Sequence, residues 1–437
     1  MFNFIFADRD FSMFQKGKFY NPRKKENLQQ HGCKLFFSLL VISTCSWAES
    51  QHKSSIDRFW FGAEYLSWSF KDAPEPVPLV TSGSLSAVIP GAIGQVGTQV
   101  AMGDKPIDTG VHSGGRFTMG YWFDDNRQYG IEGNYFFLSP NHSNQSISTS
   151  GLPGSPTLAV PIFDISGFTS GKSSGESVYV LPGPFSTTSP GFAGTFAVNV
   201  TNRLQGAELN GLFKTKEFNN FRFDLFTGLR WLQYWEKLAF DVNTTGVPSG
   251  STAGQFFNSH DMFCAENNFY GFNFGLRAKY DNSKFYGLVS AHMSLGNMNE
   301  STNIEGQSST SNGTIFFPVS SSAGRPINGG IFAQHSNIGH HSENVFAAIP
   351  ELDLKVGYHL LKNLNVIASY SALYISNLAH PGNLINRYIN TTRTALADAS
   401  RASGSGIAAT GPTGPNFKFN NSDFWAQGIS FGLEMNF

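Results

Sequence analysis

With 437 residues the chain is long enough for two or three soluble domains, yet only 14% of it is charged, and its 30 basic residues nearly cancel 31 acidic ones. That balance excludes a nucleic-acid binder driven by electrostatics, and no HExxH, CxxC or glycine-rich phosphate loop marks a familiar enzyme class. Glycine (46) and phenylalanine (42) are abundant instead, without any apolar run long enough to cross a bilayer as a helix.

The chain opens with a leader. Arg23, Lys24, Lys25 and Lys34 precede the apolar run Leu35–Ile42, and Ser46-Trp47-Ala48 follows it. This is the order of a secretory signal cleaved after Ala48, so residues 1–48 are expected to be removed, with Met13 as an alternative start. Thr44 is a poor neighbour for lipidation of Cys45. Loss of Cys33 and Cys45 leaves Cys264 alone, which excludes an intramolecular disulfide and a cysteine-based metal site.

Residues 49–437 read as one domain of paired strands. Phe59–Phe70 is the first, aromatic on both faces. Gly115–Phe123 and Tyr129–Leu138 form a hairpin about the turn 124–128, and Ser139–Val200, rich in Ser, Gly, Pro and Thr, reads as a long loop. A second hairpin joins Asn202–Phe213 to Phe221–Phe240, and a third joins Phe263–Tyr280 to Lys284–Leu295. After the polar stretch Gly296–Asn344 comes a fourth, Phe346–Leu361 with Leu364–Leu378, then the loop Ala379–Ser422 and a terminal strand, Asp423–Phe437. Tyr270, Phe272, Phe274, Leu276 and Tyr280 oppose Gly271, Asn273, Gly275, Arg277 and Lys279, the period-two pattern of a sheet with one apolar and one polar face.

Short and long connections alternate throughout. A soluble sandwich has no reason to sort its loops in this way, whereas a transmembrane antiparallel up-and-down β-barrel of about ten strands has short periplasmic turns and long extracellular loops. Phe59, Trp60, Trp122, Tyr129, Trp231, Trp235, Tyr280, Tyr374 and Trp425 stand near strand ends, where interfacial aromatic girdles are expected. Lipid leaves backbone groups unsatisfied, so such a sheet must close on itself. The last strand alternates, with Ser430 and Gly432 on its polar face and Met435 and Phe437 on its apolar face, and it resembles the C-terminal signal by which outer-membrane barrels are recognised for assembly.

A closer resemblance covers nearly the whole mature chain. Ala63-Glu-Tyr-Leu66 with Pro78-Leu-Val-Thr81, Leu225-Phe-Thr-Gly-Leu-Arg-Trp-Leu232 with Glu236, and Asn268-Phe-Tyr-Gly271 with Gly275-Leu-Arg277 carry it. Ser336-Asn-Ile-Gly339, Ile349-Pro-Glu-Leu352, His380-Pro-Gly382 and Phe424-Trp-Ala-Gln-Gly428 continue it in order. These blocks resemble the putative β-barrel porins, seventh numbered family, of the bacterial outer membrane. His380 and Asn386 depart from the basic and acidic residues that the resemblance leads one to expect.

The candidate functional residues are the charges on the inward faces. Arg116, Arg222, Arg230, Arg277, Lys279 and Lys355 meet Glu132, Glu208, Asp224, Glu236, Glu351, Asp353 and Glu434, so no ring of one sign forms and ion selectivity should be weak. In so narrow a barrel the same charges can line a pore or pair across it and plug it. The resemblance implies a porin that passes small hydrophilic solutes by diffusion, with no catalytic residue, cofactor or metal. Two other readings stand beside it: a non-conducting structural or adhesive surface barrel, and an outer-membrane enzyme. His292 and His359 face inward without a nucleophile motif, and His335, His340 and His341 fall in a Ser/Asn-rich loop. The expected partners are outer-membrane lipid, the secretion translocon, the barrel-assembly machinery and small solutes, with a monomer as the default and loops at the cell surface.

Overall fold

A computed structural model describes residues 58–168, 174–311, 324–404 and 406–437. The leader predicted over residues 1–48 lies outside them. Ten long strands dominate: β1 (Phe59–Phe70), β2 (Val111–Trp122), β3 (Tyr129–Thr149), β4 (Phe192–Phe218), β5 (Phe221–Gly246), β6 (Phe256–Asp281), β7 (Phe285–Thr310), β8 (Gly339–Leu361), β9 (Leu364–Leu378) and β10 (Ser422–Asn436). Each is antiparallel to its chain neighbours, and β10 pairs with β1, so the ten strands close into a ring. Closure is completed at the last residue, where Phe59 and Phe437 exchange backbone hydrogen bonds of 3.2 and 2.8 Å.

Alternation decides which face each strand shows. On β6 Tyr270, Phe272, Phe274 and Leu276 are exposed, and on β10 Ile429, Phe431 and Leu433 are. Every one of the ten strands contributes to the same outer apolar belt. On β5 the belt runs from Phe221 to Trp231, ten residue steps. At about 3.3 Å per step and a tilt of about 40° that is about 25 Å of height, the apolar band of an outer-membrane barrel. At the short-turn rim aromatic rings meet in pairs around the circumference: Tyr129 with Phe213, Phe221 with Tyr280, Phe285 with Tyr358 and Phe59 with Phe437.

The strands run further than their apolar pattern. Predicted strands Asn202–Phe213, Phe263–Tyr280 and, from Phe285 on, Lys284–Leu295 are parts of 27-, 26- and 26-residue strands. Above the belt the outward positions become polar, as at Lys237, Asp241, Asn243 and His260. The hydrophobic alternation ends there while the backbone ladder continues, because its hydrogen bonds do not depend on side-chain polarity.

The stretches predicted as loops are corrected in the same way. Thr157–Asp164 and Gly175–Val180 are strands inside Ser139–Val200, and they join Pro78–Gly83, Gln99–Gly103 and Tyr388–Ile389 in a second sheet. A short helix, α1 (Ala395–Ala402), starts at Thr394, whose side chain accepts from the Ala397 N–H. Leu79, Leu158, Val160, Ile162, Ile331, Phe332 and Leu396 from these segments pack against Phe196, Phe240, Phe263 and Ile304 on the inner face of the extended barrel. The long connections therefore form a dome with its own apolar core, seated in the mouth of the ring. Among the described residues no helix is long and apolar enough to cross a membrane.

Candidate functional site

The lumen is built from the inward half of each strand, and its short-turn end is aromatic. Trp60 and Trp122, expected at the interfacial girdle, instead turn inward and lie with ring centroids 5.1 Å apart beside Leu212 and Phe226. Inward glycines make the room. A β-carbon on Gly120 would lie 2.0 Å from the Trp60 ring, one on Gly275 2.5 Å from Phe226, and one on Gly357 2.1 Å from Tyr286. The Arg222 guanidinium, bonded to Asp224 at 2.8 Å, sits 4.2 Å from the Trp122 ring centroid. Lys279 pairs with Asp281 at 2.8 Å near the rim, and Glu434 accepts from Asn365 at 3.1 Å.

Above this layer the charges meet in pairs across the lumen. Arg277 grips Glu132 through both terminal nitrogens, at 2.6 and 3.1 Å, the two-pronged geometry that suits a guanidinium. Arg230, with no side-chain exposure, lies 2.5 Å from Glu351 and 3.3 Å from Glu208. Arg116 reaches Asp353 at 3.5 Å and Ser371 at 3.1 Å, and Ser371 donates to Asp353 at 2.5 Å. Lys355 donates to Glu64 at 3.0 Å, and Ser369 donates to the other oxygen of that carboxylate at 2.6 Å.

Glu64 was missed in the sequence because both faces of β1 are aromatic; its opposition to Arg116 in the β1–β2 register is the signal that identifies it. His292 also joins the network, 3.3 Å from Glu351 and 3.8 Å from Glu208. Donor atoms of Glu208, His292 and Glu351 lie within 4.8 Å of one another, a spacing that could hold a metal ion. The Arg230 guanidinium already supplies positive charge there, which argues against a metal.

A third layer is apolar and aromatic. Leu66, Trp68, Phe136, Leu204, Leu232, Tyr234, Phe269, Ile349 and Phe424 form one buried cluster. Over it, beneath the dome, Glu236 accepts from Tyr234 at 2.8 Å and contacts His380 Nδ1 at 2.7 Å, so Glu236 stands apart from the charge layer below. Glu75, brought in by the segment after β1, is buried close by, and burial drives its carboxyl well above the usual range, with the Val77 N–H opposing and Glu236 adding to the shift. Asn386, the other departure, donates to the Asn416 carbonyl at 3.2 Å and accepts from the Tyr388 N–H at 2.9 Å.

The remaining histidines are dispersed. His359 bridges Asn365 and Asp281 at the short-turn end, at 2.7 and 3.0 Å. His341 stacks on Phe417, and His335 lies 3.3 Å from Asp398 with both side chains nearly half exposed. His260 and Asp241, 2.7 Å apart, face outward above the belt. Cys264 is half-buried and free.

No curated protein matches this chain. Solved structures with a similar course include the outer membrane protease OmpT of Escherichia coli (9% identity, 89% of this chain and 99% of that one, TM-score 0.38). A FadL homologue of Pseudomonas aeruginosa (7%, 87% and 90%, 0.20) and OmpT of Vibrio cholerae (8%, 89% and 100%, 0.17) are also similar. The model of the family described as putative beta barrel porin-7 (BBP7) matches residues 60–437, and the chain belongs to that family.

Proposed function

We propose that this protein is a non-enzymatic, non-conducting barrel of the bacterial outer membrane, with the domed end at the cell surface and the short turns in the periplasm. The observation that carries this reading is the filled lumen: an aromatic layer, a layer of paired charges, an apolar layer and the dome core succeed one another along the axis. A ring of ten strands is only a little wider than one that side chains fill outright, so long inward residues can meet across it. Balanced charge then works as internal fastening rather than as a filter. The role that follows is structural or adhesive, with the dome as the surface presented outside.

The family description supports a second reading, diffusion of small hydrophilic solutes, which requires the charge and apolar layers to part. Single-channel recording on protein inserted in a planar bilayer separates the two. The expected result is a silent membrane in which insertion is confirmed by protease protection of the barrel strands. Discrete, stable current steps from the unmodified protein would sink the non-conducting reading and restore the porin.

A further inference from the structure

Near the mouth, on the inward face, β7 and β8 set two acids directly opposite each other: Glu300 is in register with Glu343. Glu300 is fully buried, and neither of its carboxylate oxygens has a hydrogen-bond donor. Directly opposed residues have β-carbons about 5 Å apart, and like charges in that position repel. Burial first, then Glu343, push the Glu300 carboxyl up to about 7, while Asn421 opposes the shift.

The other ladder neighbour gives no relief. Asn267, opposite Glu300 on β6, commits its amide in both directions to the Ala379 backbone, at 3.0 and 2.9 Å. Asn421 arrives from a distant part of the chain, just before β10. It donates to Glu343 Oε1 at 3.3 Å and keeps its own Oδ1 buried without a partner. Three acceptor oxygens that lack donors thus gather beside a second carboxylate.

We propose that Glu300, Glu343 and Asn421 form a calcium site at the mouth of the barrel. An all-oxygen set with two carboxylates and an amide carbonyl suits a hard divalent cation, whereas softer metals favour nitrogen or sulfur. The donors come from β7, β8 and the segment leading into β10, and β9 separates β8 from β10 in the ring. The ion therefore fastens the closing strand to the far side of its neighbour. With so few protein donors, binding belongs to the weak extracellular class, with a Kd of roughly 10⁻⁴ to 10⁻³ M. The site does not depend on whether the lumen conducts.

The test uses protein extracted from the membranes of cells expressing the full chain, titrated calorimetrically with calcium chloride and melted with calcium or with a chelator. Saturable binding and a higher melting temperature in calcium are expected, both lost in the E300Q/E343Q double variant and weakened in N421A. Because E343Q alone leaves the buried Glu300 in place, it provides a second reading of the site if the double variant assembles poorly. Two results overturn the proposal. One is a wild-type melt that is the same in calcium and in chelator, as for a pair sharing one proton; the other is an undiminished calcium response in E300Q/E343Q.

Discussion

Replacing Arg230 by methionine removes the guanidinium that Glu351 and Glu208 share, in a place where the arginine side chain has no exposure. The gross attraction lost is large: at an effective dielectric of about 20, opposite charges at the observed 2.5 and 3.3 Å attract by roughly 7 and 5 kcal/mol. Most of this is offset by the cost of taking three charges out of water, and removing one partner of such a buried set typically leaves a net loss of about 3–5 kcal/mol. His292, 3.3 Å from Glu351, remains as a partial substitute and sets the lower end of that range. The loss arises mainly from the stranded acid, so R230M/E351M should recover a large share of it. The assay is urea unfolding in lipid vesicles, followed by tryptophan fluorescence and by heat-modifiable migration on gels. An R230M barrel within about 1 kcal/mol of wild type, or a double variant less stable than the single, would refute the view that paired charges fasten the lumen.

Three further outcomes follow from the same structure. Burial raises the Asp261 carboxyl to about 6, against the backbone N–H groups of Ala333 and Ile331 that it accepts. The folded value lies above the unfolded one, so stability present below pH 4 is lost as pH rises to 6, by about 3 kcal/mol for two pH units; the unfolding free energy across that interval should fall more steeply with pH in wild type than in D261N, the difference between the two curves being Asp261's share. G120V drives a β-carbon to 2.0 Å from the Trp60 ring, and the overpacking should lower stability by about 1–3 kcal/mol in the same urea assay. Deleting Phe437 removes the closing backbone pair with Phe59 and should lower the yield of folded barrel in cells; unchanged assembly would count against the terminal strand as the closing element.

The ring was legible because one physical rule writes it. Lipid selects an apolar outer face, so Tyr270, Phe272 and Phe274 declare their strand without any knowledge of its neighbours. Where water replaces lipid the rule lapses, and Asp241, Asn243 and His260 hide the upper halves of β5 and β6 although their ladder is intact. The dome was hidden for a different reason. Its strands, such as Thr157–Asp164, pair with partners far away in sequence and are buried on both faces, so they show no alternation to read.

Period two tells which side a residue faces and not what lies across from it. Gly120, Gly275 and Gly357 carry no side chain to show what they face, and each is covered by an aromatic ring. Arg116 and Asp353, 237 positions apart, become partners only when the ring closes. Yet ring size and residue length together carry the answer. In a barrel only slightly wider than one that side chains fill, an inward Arg from one wall and an inward Glu or Asp from another are long enough to meet. Comparable numbers of each sign then favour pairing over lining. The alternation that specifies this barrel therefore also turns long charged side chains inward, and in a ring this narrow those are the side chains best able to reach across.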